Sequence, residues 1–116
     1  MMRFAGVADR GDAVAYTRSF VAGLPDSCPG ASVTAVEPVT VAGRPAARVS
    51  ARCPNNPRTG LPETFFMLAI AGQHDMHVAQ IAFRREPTAA DRDFAARQLA
   101  SVRLCQAGSR EAVCRR

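Results

Sequence analysis

The sequence predicts an α+β domain: an antiparallel sheet of about four to five strands with a helix at each end of the chain. Apolar residues recur at three- and four-residue spacing near both ends, whereas the middle alternates or runs continuously apolar, as strands do. The strand-like segments are joined by short Gly, Pro, Asn and Asp turns rather than helical crossovers, so neighbouring strands run antiparallel. At 116 residues and 47% hydrophobic, the chain can bury one core and no more.

Met1 to Val7 reads as the end of a strand. Asp12 caps a first helix over roughly residues 13 to 24, where Ala13, Tyr16, Thr17, Phe20, Val21 and Leu24 form one apolar face. Gly23 and Pro25 end it, and Asp26-Ser27-Cys28-Pro29-Gly30 is a turn cluster. Val33 to Glu37 and Val39 to Val41 are β-rich, with Pro38 marking an edge or a bulge between them. Ala42-Gly43 turns the chain into a strand from Arg44 to Cys53. There Arg44, Ala46, Arg48, Ser50 and Arg52 share one face, and Pro45, Ala47, Val49, Ala51 and Cys53 the other.

Pro54 to Pro62 has the composition of a loop. Thr64 to Ala71 is apolar on both faces, which predicts a central strand covered on both sides. Gly72-Gln73-His74-Asp75 turns it back into Met76 to Phe83, completing a hairpin. Pro87-Thr88 opens the second helix, where Thr88 and Asp91 have capping-box spacing. Ala90, Phe94, Ala95, Leu99 and Val102 are its expected buried stripe. Residues 1–105 form the expected domain and 106–116 a polar tail. An alternative arrangement is an α/β/α sandwich truncated at its N-terminus.

Four cysteines in so small a chain point to disulfides and an oxidising compartment. Four cysteines allow three connectivities, which the proposed topology narrows. The first helix exits at the end of the sheet where the Arg44 strand finishes, which brings Cys28 to Cys53. The second helix climbs to the opposite end, leaving Cys105 with Cys114 as a clip on the tail. Cys53 also falls on its strand's apolar face. On the loop-entropy model the two bridges contribute about 3 to 3.5 and about 2.5 kcal/mol. That offsets a core poor in aromatics, with six Phe, one Tyr and no Trp.

All fifteen basic residues are arginine, and the net charge is +5. The arginines scatter along the chain, whereas a nucleic-acid footprint clusters. Arg44, Arg48 and Arg52 are the exception, a stripe with roughly 13 Å between neighbours that could track a polyanion. The competing reading is a solvated sheet face with cross-strand pairs to acids such as Glu37. Asn55, Asn56, Thr59 and Glu63 of the polar loop complete the binding candidates, and Gln80 reads as a core amide.

Chemistry-bearing patterns are sparse. There is no Cys-x-x-Cys, no Gly-x-Ser-x-Gly elbow, no Gly-rich phosphate loop and no carboxylate pair at a strand end. His74 and His77 are near each other without a neighbouring cysteine, which reads as a turn residue and a strand-face residue rather than a metal site. No run reaches the ~18 apolar residues of a membrane span. No signal-peptide core opens the chain, so an exported protein implies a signal lost upstream.

The stretch from Cys53-Pro54 through Thr59-Gly60-Leu61-Pro62-Glu63 into Phe65-Phe66 resembles a pattern in uncharacterised exported proteins of alphaproteobacteria. Downstream, Ala69-Ile70-x-Gly72, Val78-x-Gln80, Ala82-Phe83-Arg84, a helix and Cys105 follow in similar order. The resemblance covers Asp26 to Cys114. Those proteins carry an aromatic where this chain has His77, and they begin earlier, with a signal peptide and further strands. The element order is also similar to PsbP-like α/β/α sandwiches. The resulting expectation is a non-catalytic, disulfide-stabilised domain, periplasmic or secreted, without metal or cofactor, that contacts a protein or envelope component. The rival is an intracellular polyanion or nucleic-acid binder using Arg44, Arg48 and Arg52.

Overall fold

A computed structural model describes residues 12–73 and 75–103, together with the backbone of residues 2–8. Among the described residues six strands form one antiparallel sheet. They are β1 (Met2–Ala8), β2 (Ser32–Val33), β3 (Glu37–Val41), β4 (Arg44–Asn56), β5 (Leu61–Ala71) and β6 (Asp75–Phe83). Helices α1 (Ala13–Ala22), the one-turn α2 (Leu24–Ser27) and α3 (Ala89–Ala100) complete the fold. The spatial order is β1-β6-β5-β4, and β2 and β3 lie end to end along the outer edge of β4. The pair counts as one interrupted strand, so the sheet is five strands wide. The expected α+β class holds.

Register explains how the helices are placed. On one face Ala47 of β4 stands beside Ala69 of β5 and Val78 of β6, and Val49 stands beside Met67. α1 covers this face, seating Ala13 on Ala47, Ala69 and Met76, and Phe20 and Val21, with Leu24 of α2, over Val49, Ala51 and Phe65. Phe20 meets Phe65 edge to face, with centroids 5.9 Å apart. The opposite face carries Ala46, Leu68, Ile70 and Ala79, packed by Leu99 of α3 and by Val102 just beyond it. The two long helices therefore cover opposite faces of the sheet. Alanines at the crossing points let each helix approach the backbone closely. Thr17 is fully buried in this small-residue contact, its hydroxyl donating to the Ala13 carbonyl at 2.7 Å.

Several local expectations need correction. The first helix ends at Ala22, where the Gly23 N–H donates to the Phe20 and Val21 carbonyls, and Pro25 then sits in α2 rather than terminating α1. Pro38 lies inside β3, not at the break. An edge strand accommodates a proline by turning the missing N–H outward. The interruption falls at Thr34–Val36 instead, where the Thr34 N–H donates to the Ser50 carbonyl at 2.9 Å and the Thr34 hydroxyl accepts from the Ser50 N–H at 3.0 Å.

The expected loop from Pro54 to Pro62 is mostly strand. β4 runs on to Asn56 through a register shift between Cys53 and Asn56, and β5 resumes at Leu61. The irregularity accommodates Pro54 without ending the strand. In α3 the buried stripe is shifted: Ala95 is fully buried and Leu99 half-buried, whereas Ala90 is exposed and Phe94 is 47% exposed.

The remaining turns form as their residues require. Ala42 and Gly43, with φ of 50° and 80°, make the two-residue turn between β3 and β4. Thr88 caps α3 in a complete capping box with Asp91. Cys28 and Cys53, both buried, are joined in a disulfide with 5.9 Å between their Cα atoms, tying the end of α2 to β4. The expected Cys105–Cys114 clip and the tail 106–116 lie outside the described residues.

Candidate binding cleft

α3 touches mainly β5 and β6, so the sheet face it covers is left open over β3 and β4. The result is a cleft of about 770 Å³. Its floor is Arg48 and Ser50 of β4 with Phe66 and Leu68 of β5, and its outer wall is Glu37, Val39 and Val41 of β3. The inner wall is a second face of α3, formed by Arg92, Ala96, Leu99 and Ala100 and continued by Arg103. These positions follow helical spacing, i, i+4, i+7, i+8, with Arg103 three residues past the last. Ala96 and Ala100 are exposed, and their methyl groups are too short to fill the space.

The polar groups around the cleft are in different states. Arg48 pairs with its cross-strand neighbour Glu37 at 2.7 Å, with both side chains more than half exposed. Arg52 donates from Nε to Glu86 at 2.6 Å. That hydrogen bond raises the Arg52 pKa and holds the Glu86 carboxyl below its usual range. The charge of Arg92 also lowers the Glu86 pKa, and its guanidinium lies 5.9 Å from the centre of the Phe66 ring. Phe66 meets Phe83 edge to face at 6.1 Å, and Arg85 lies over Phe83 while pairing with Asp91 at 2.7 Å. Arg103 donates from Nη1 to the carbonyls of Ala100 and Val102 at 3.0 and 2.8 Å. That places a cation against the negative end of α3.

The candidates read from sequence divide between this cleft and elsewhere. Of the stripe, Arg48 lines the cleft, and Arg44 and Arg52 lie on the same sheet face outside it. The structure pairs Arg48 with Glu37 across the strands, as the cross-strand reading expects, whereas Arg52 pairs with Glu86 in the segment after β6. Asn55, Asn56, Thr59 and Glu63 are gathered at the tip of the β4–β5 hairpin, where Asn56, Thr59 and Glu63 serve its turn. The Asn56 Oδ1 accepts from the Arg58 N–H at 2.9 Å, and its Nδ2 donates to Glu63 at 3.5 Å. The Thr59 hydroxyl accepts from the Leu61 N–H at 3.2 Å. Gln80 is half-buried beside Met67. His77 packs its ring against the β5–β6 turn, where a Cβ on Gly72 would lie 2.9 Å from Nε2. His74 lies outside the described residues.

Arg92, Ala96, Arg103 and Phe66 were missed as site residues. Their signal was a second helical stripe, offset from the buried one, with an arginine at each end.

The fold and cleft define a sheet domain with one helix on each face and an apolar groove beside the second. No protein family matches the chain, and no curated protein matches its sequence. Among solved structures it is similar to PA94 from Pseudomonas aeruginosa, a protein of unknown function described as a candidate regulator. The two are 11% identical, with a TM-score of 0.60, over 90% of this chain and 83% of PA94. The likeness is one of fold. No helix among the described residues is long and apolar enough to cross a membrane.

Proposed function

We propose that this is a non-catalytic, disulfide-stabilised domain, exported to the periplasm or secreted, that acts by holding a protein or envelope component in the α3-side cleft. The observation that carries this reading is the cleft itself. Largely apolar walls and a floor that sets Phe66 and Leu68 beside Arg48 and Ser50 are edged by arginines, which suits recognition. Several of the polar groups around it are already engaged with one another.

The buried Cys28–Cys53 bridge supports the oxidising compartment, because such bridges persist outside the cytosol. Helices on opposite faces of the sheet are in keeping with the PsbP-like resemblance, and the candidate-regulator description of PA94 is in keeping with a protein that works by contact. The polyanion rival is disfavoured because Arg48 and Arg52 each face a carboxylate at ion-pair distance.

Two measurements test the proposal. Intact mass with and without reductant should differ by four hydrogens for protein recovered from the envelope, and four free thiols there would refute export. A photo-crosslinking residue at Ala96 should capture a protein or envelope component in cells, whereas one at exposed Arg58 should not. Equal labelling from both positions would remove the cleft from the account.

A further inference from the structure

The two edges of the sheet are built differently. The outer edge carries Pro38 inside β3 and the interruption at Thr34–Val36, and both oppose the addition of a further strand. β1, at the other edge, has neither. Its seven residues pair with β6 from Met2 opposite Ile81 to Ala8 opposite Asp75, without a register shift. Among the described residues nothing pairs with its second side. The strand contains no proline and one charged residue, Arg3. Alternate N–H and C=O groups along about 24 Å of backbone are therefore a template for another strand.

β1 is its own complement. A twofold axis normal to the sheet pairs a strand with its copy antiparallel, the mode of every pairing in this sheet. Full overlap of the seven residues puts Ala5 on the axis. Met2 then stands opposite Ala8 of the copy, Arg3 opposite Val7 and Phe4 opposite Gly6. An aromatic opposite a glycine is the pairing that restores an edge strand weakened by glycine. The two Arg3 lie four positions apart along the ladder, about 13 Å, so like charges do not meet. The contact uses up the open edge of both copies and leaves only the blocked ones, so assembly closes at two.

A second observation lies on α3. Ala95 and Leu99 turn to the sheet, and Arg92, Ala96 and Ala100 line the cleft over β3 and β4. Phe94 is about 160° around the helix from Ala96, on the flank toward β6 and β1, and is 47% exposed. The twofold sets both α3 helices on the same face of the joined sheet, with the two β6 strands about 14 Å apart. The Phe94 flanks then face each other across a trough floored by the β1 pair, a place where interfaces favour aromatic residues. We infer that two copies of the chain associate through β1, antiparallel about a twofold at Ala5, into one continuous sheet. The cleft stays free in each copy, so this contact is independent of what the cleft holds. A seven-residue ladder is a small interface, and the association is reversible and concentration-dependent.

Sedimentation velocity on the oxidised full chain over a concentration series should show a monomer–dimer equilibrium. Ala5→Glu and Ala5→Lys each set like charges against each other on the axis and should weaken the dimer about tenfold or more. Mixing the two variants should restore it as a heterodimer, because position 5 meets only its own copy. β1 lies beside the strands on which the long helices pack, β3 to β6, so these substitutions fall at the rim of the fold. Phe94→Ser should weaken the dimer without lowering the melting temperature. Hydrogen exchange should show alternate β1 amides protected at high concentration and not at low. A chain that stays monomeric up to its solubility limit would overturn the proposal, as would a dimer that the Ala5 variants leave intact. Loss in both variants without recovery on mixing would remove the twofold at Ala5, and the proposal with it. Protection of every β1 amide in the monomer would give the edge to another segment of the same chain and refute the dimer. A dimer abolished by Ala96→Phe instead would place the second copy in the cleft, with the same result for β1.

Discussion

Asp91 does two jobs with one carboxylate. Its Oδ2 accepts from the Thr88 N–H at 3.0 Å, closing the capping box, and its Oδ1 accepts from Arg85 at 2.7 Å. The backbone bond first, and Arg85 after it, hold its pKa below the usual carboxylate range. Arg52 does the same for Glu86. A carboxyl whose folded pKa is lowered stabilises above its unfolded value and loses that contribution as pH falls through the folded one. Stability should therefore be flat from neutral pH to about pH 5 and fall below it. Asp91→Asn should lower the melting temperature at pH 7 and lower it progressively less as pH falls below the usual carboxylate range, which thermal melts at a series of acid pH values would check. Thr88→Ala removes the cap from the other side, at a cost of about 1 kcal/mol. This cluster was legible from sequence because a capping box has a fixed spacing. The Arg48–Glu37 pair was legible because strand alternation fixed which face the arginine took. Phe94 was misplaced, because the rotation of α3 about its axis is set by the contacts of Ala95 and Leu99, and both neighbouring stripes of the helix contain apolar residues.

At the scale of elements, the outer edge of the sheet is the least regular part. Where the chain leaves β4 at Thr34–Val36, the Ser50 N–H would lose its partner, and the Thr34 hydroxyl replaces it at 3.0 Å. Thr34→Val keeps the shape and removes the acceptor. The expected effect is a loss of about 0.5–1 kcal/mol, with faster hydrogen exchange at the Ser50 amide than at its neighbours. Unchanged exchange there would mean that water serves the amide equally well. Sequence read Pro38 as an edge or a bulge between two segments; the edge is what forms, and it lets the proline sit inside β3 while the interruption falls earlier. Over-reading of proline did shorten β4 and β5. Pro54, Pro57 and Pro62 suggested a long loop, whereas the irregularity after Cys53 lets the ladder absorb Pro54 and leaves only a tight turn around Gly60.

The whole molecule rests on a core with few large side chains and one described covalent tie. Replacing both Cys28 and Cys53 by serine should cost about 3 kcal/mol on the loop-entropy model. In a domain of this size that lowers the melting temperature by about 10–20 °C. Reductant should bring the native chain down by a similar amount and leave the double variant where it is. A native chain indifferent to reductant would show that the core alone suffices. The overall architecture was legible because each strand and helix carried its own periodicity. The cleft was not, because it depends on where α3 crosses the sheet and how much of the face it leaves uncovered. That is a tertiary quantity, visible in sequence only as the second stripe of Arg92, Ala96, Ala100 and Arg103.

The Cys28–Cys53 bridge spans 25 positions and encloses β2, β3 and nearly all of β4 in one covalent ring. Within that ring the exposed break at Thr34 and Ala35 is the natural place for a protease to cut. A cut there separates nothing: the two pieces stay joined through sulfur, and β3 keeps its ladder with β4. The outer wall of the cleft would then survive cleavage of the chain that builds it.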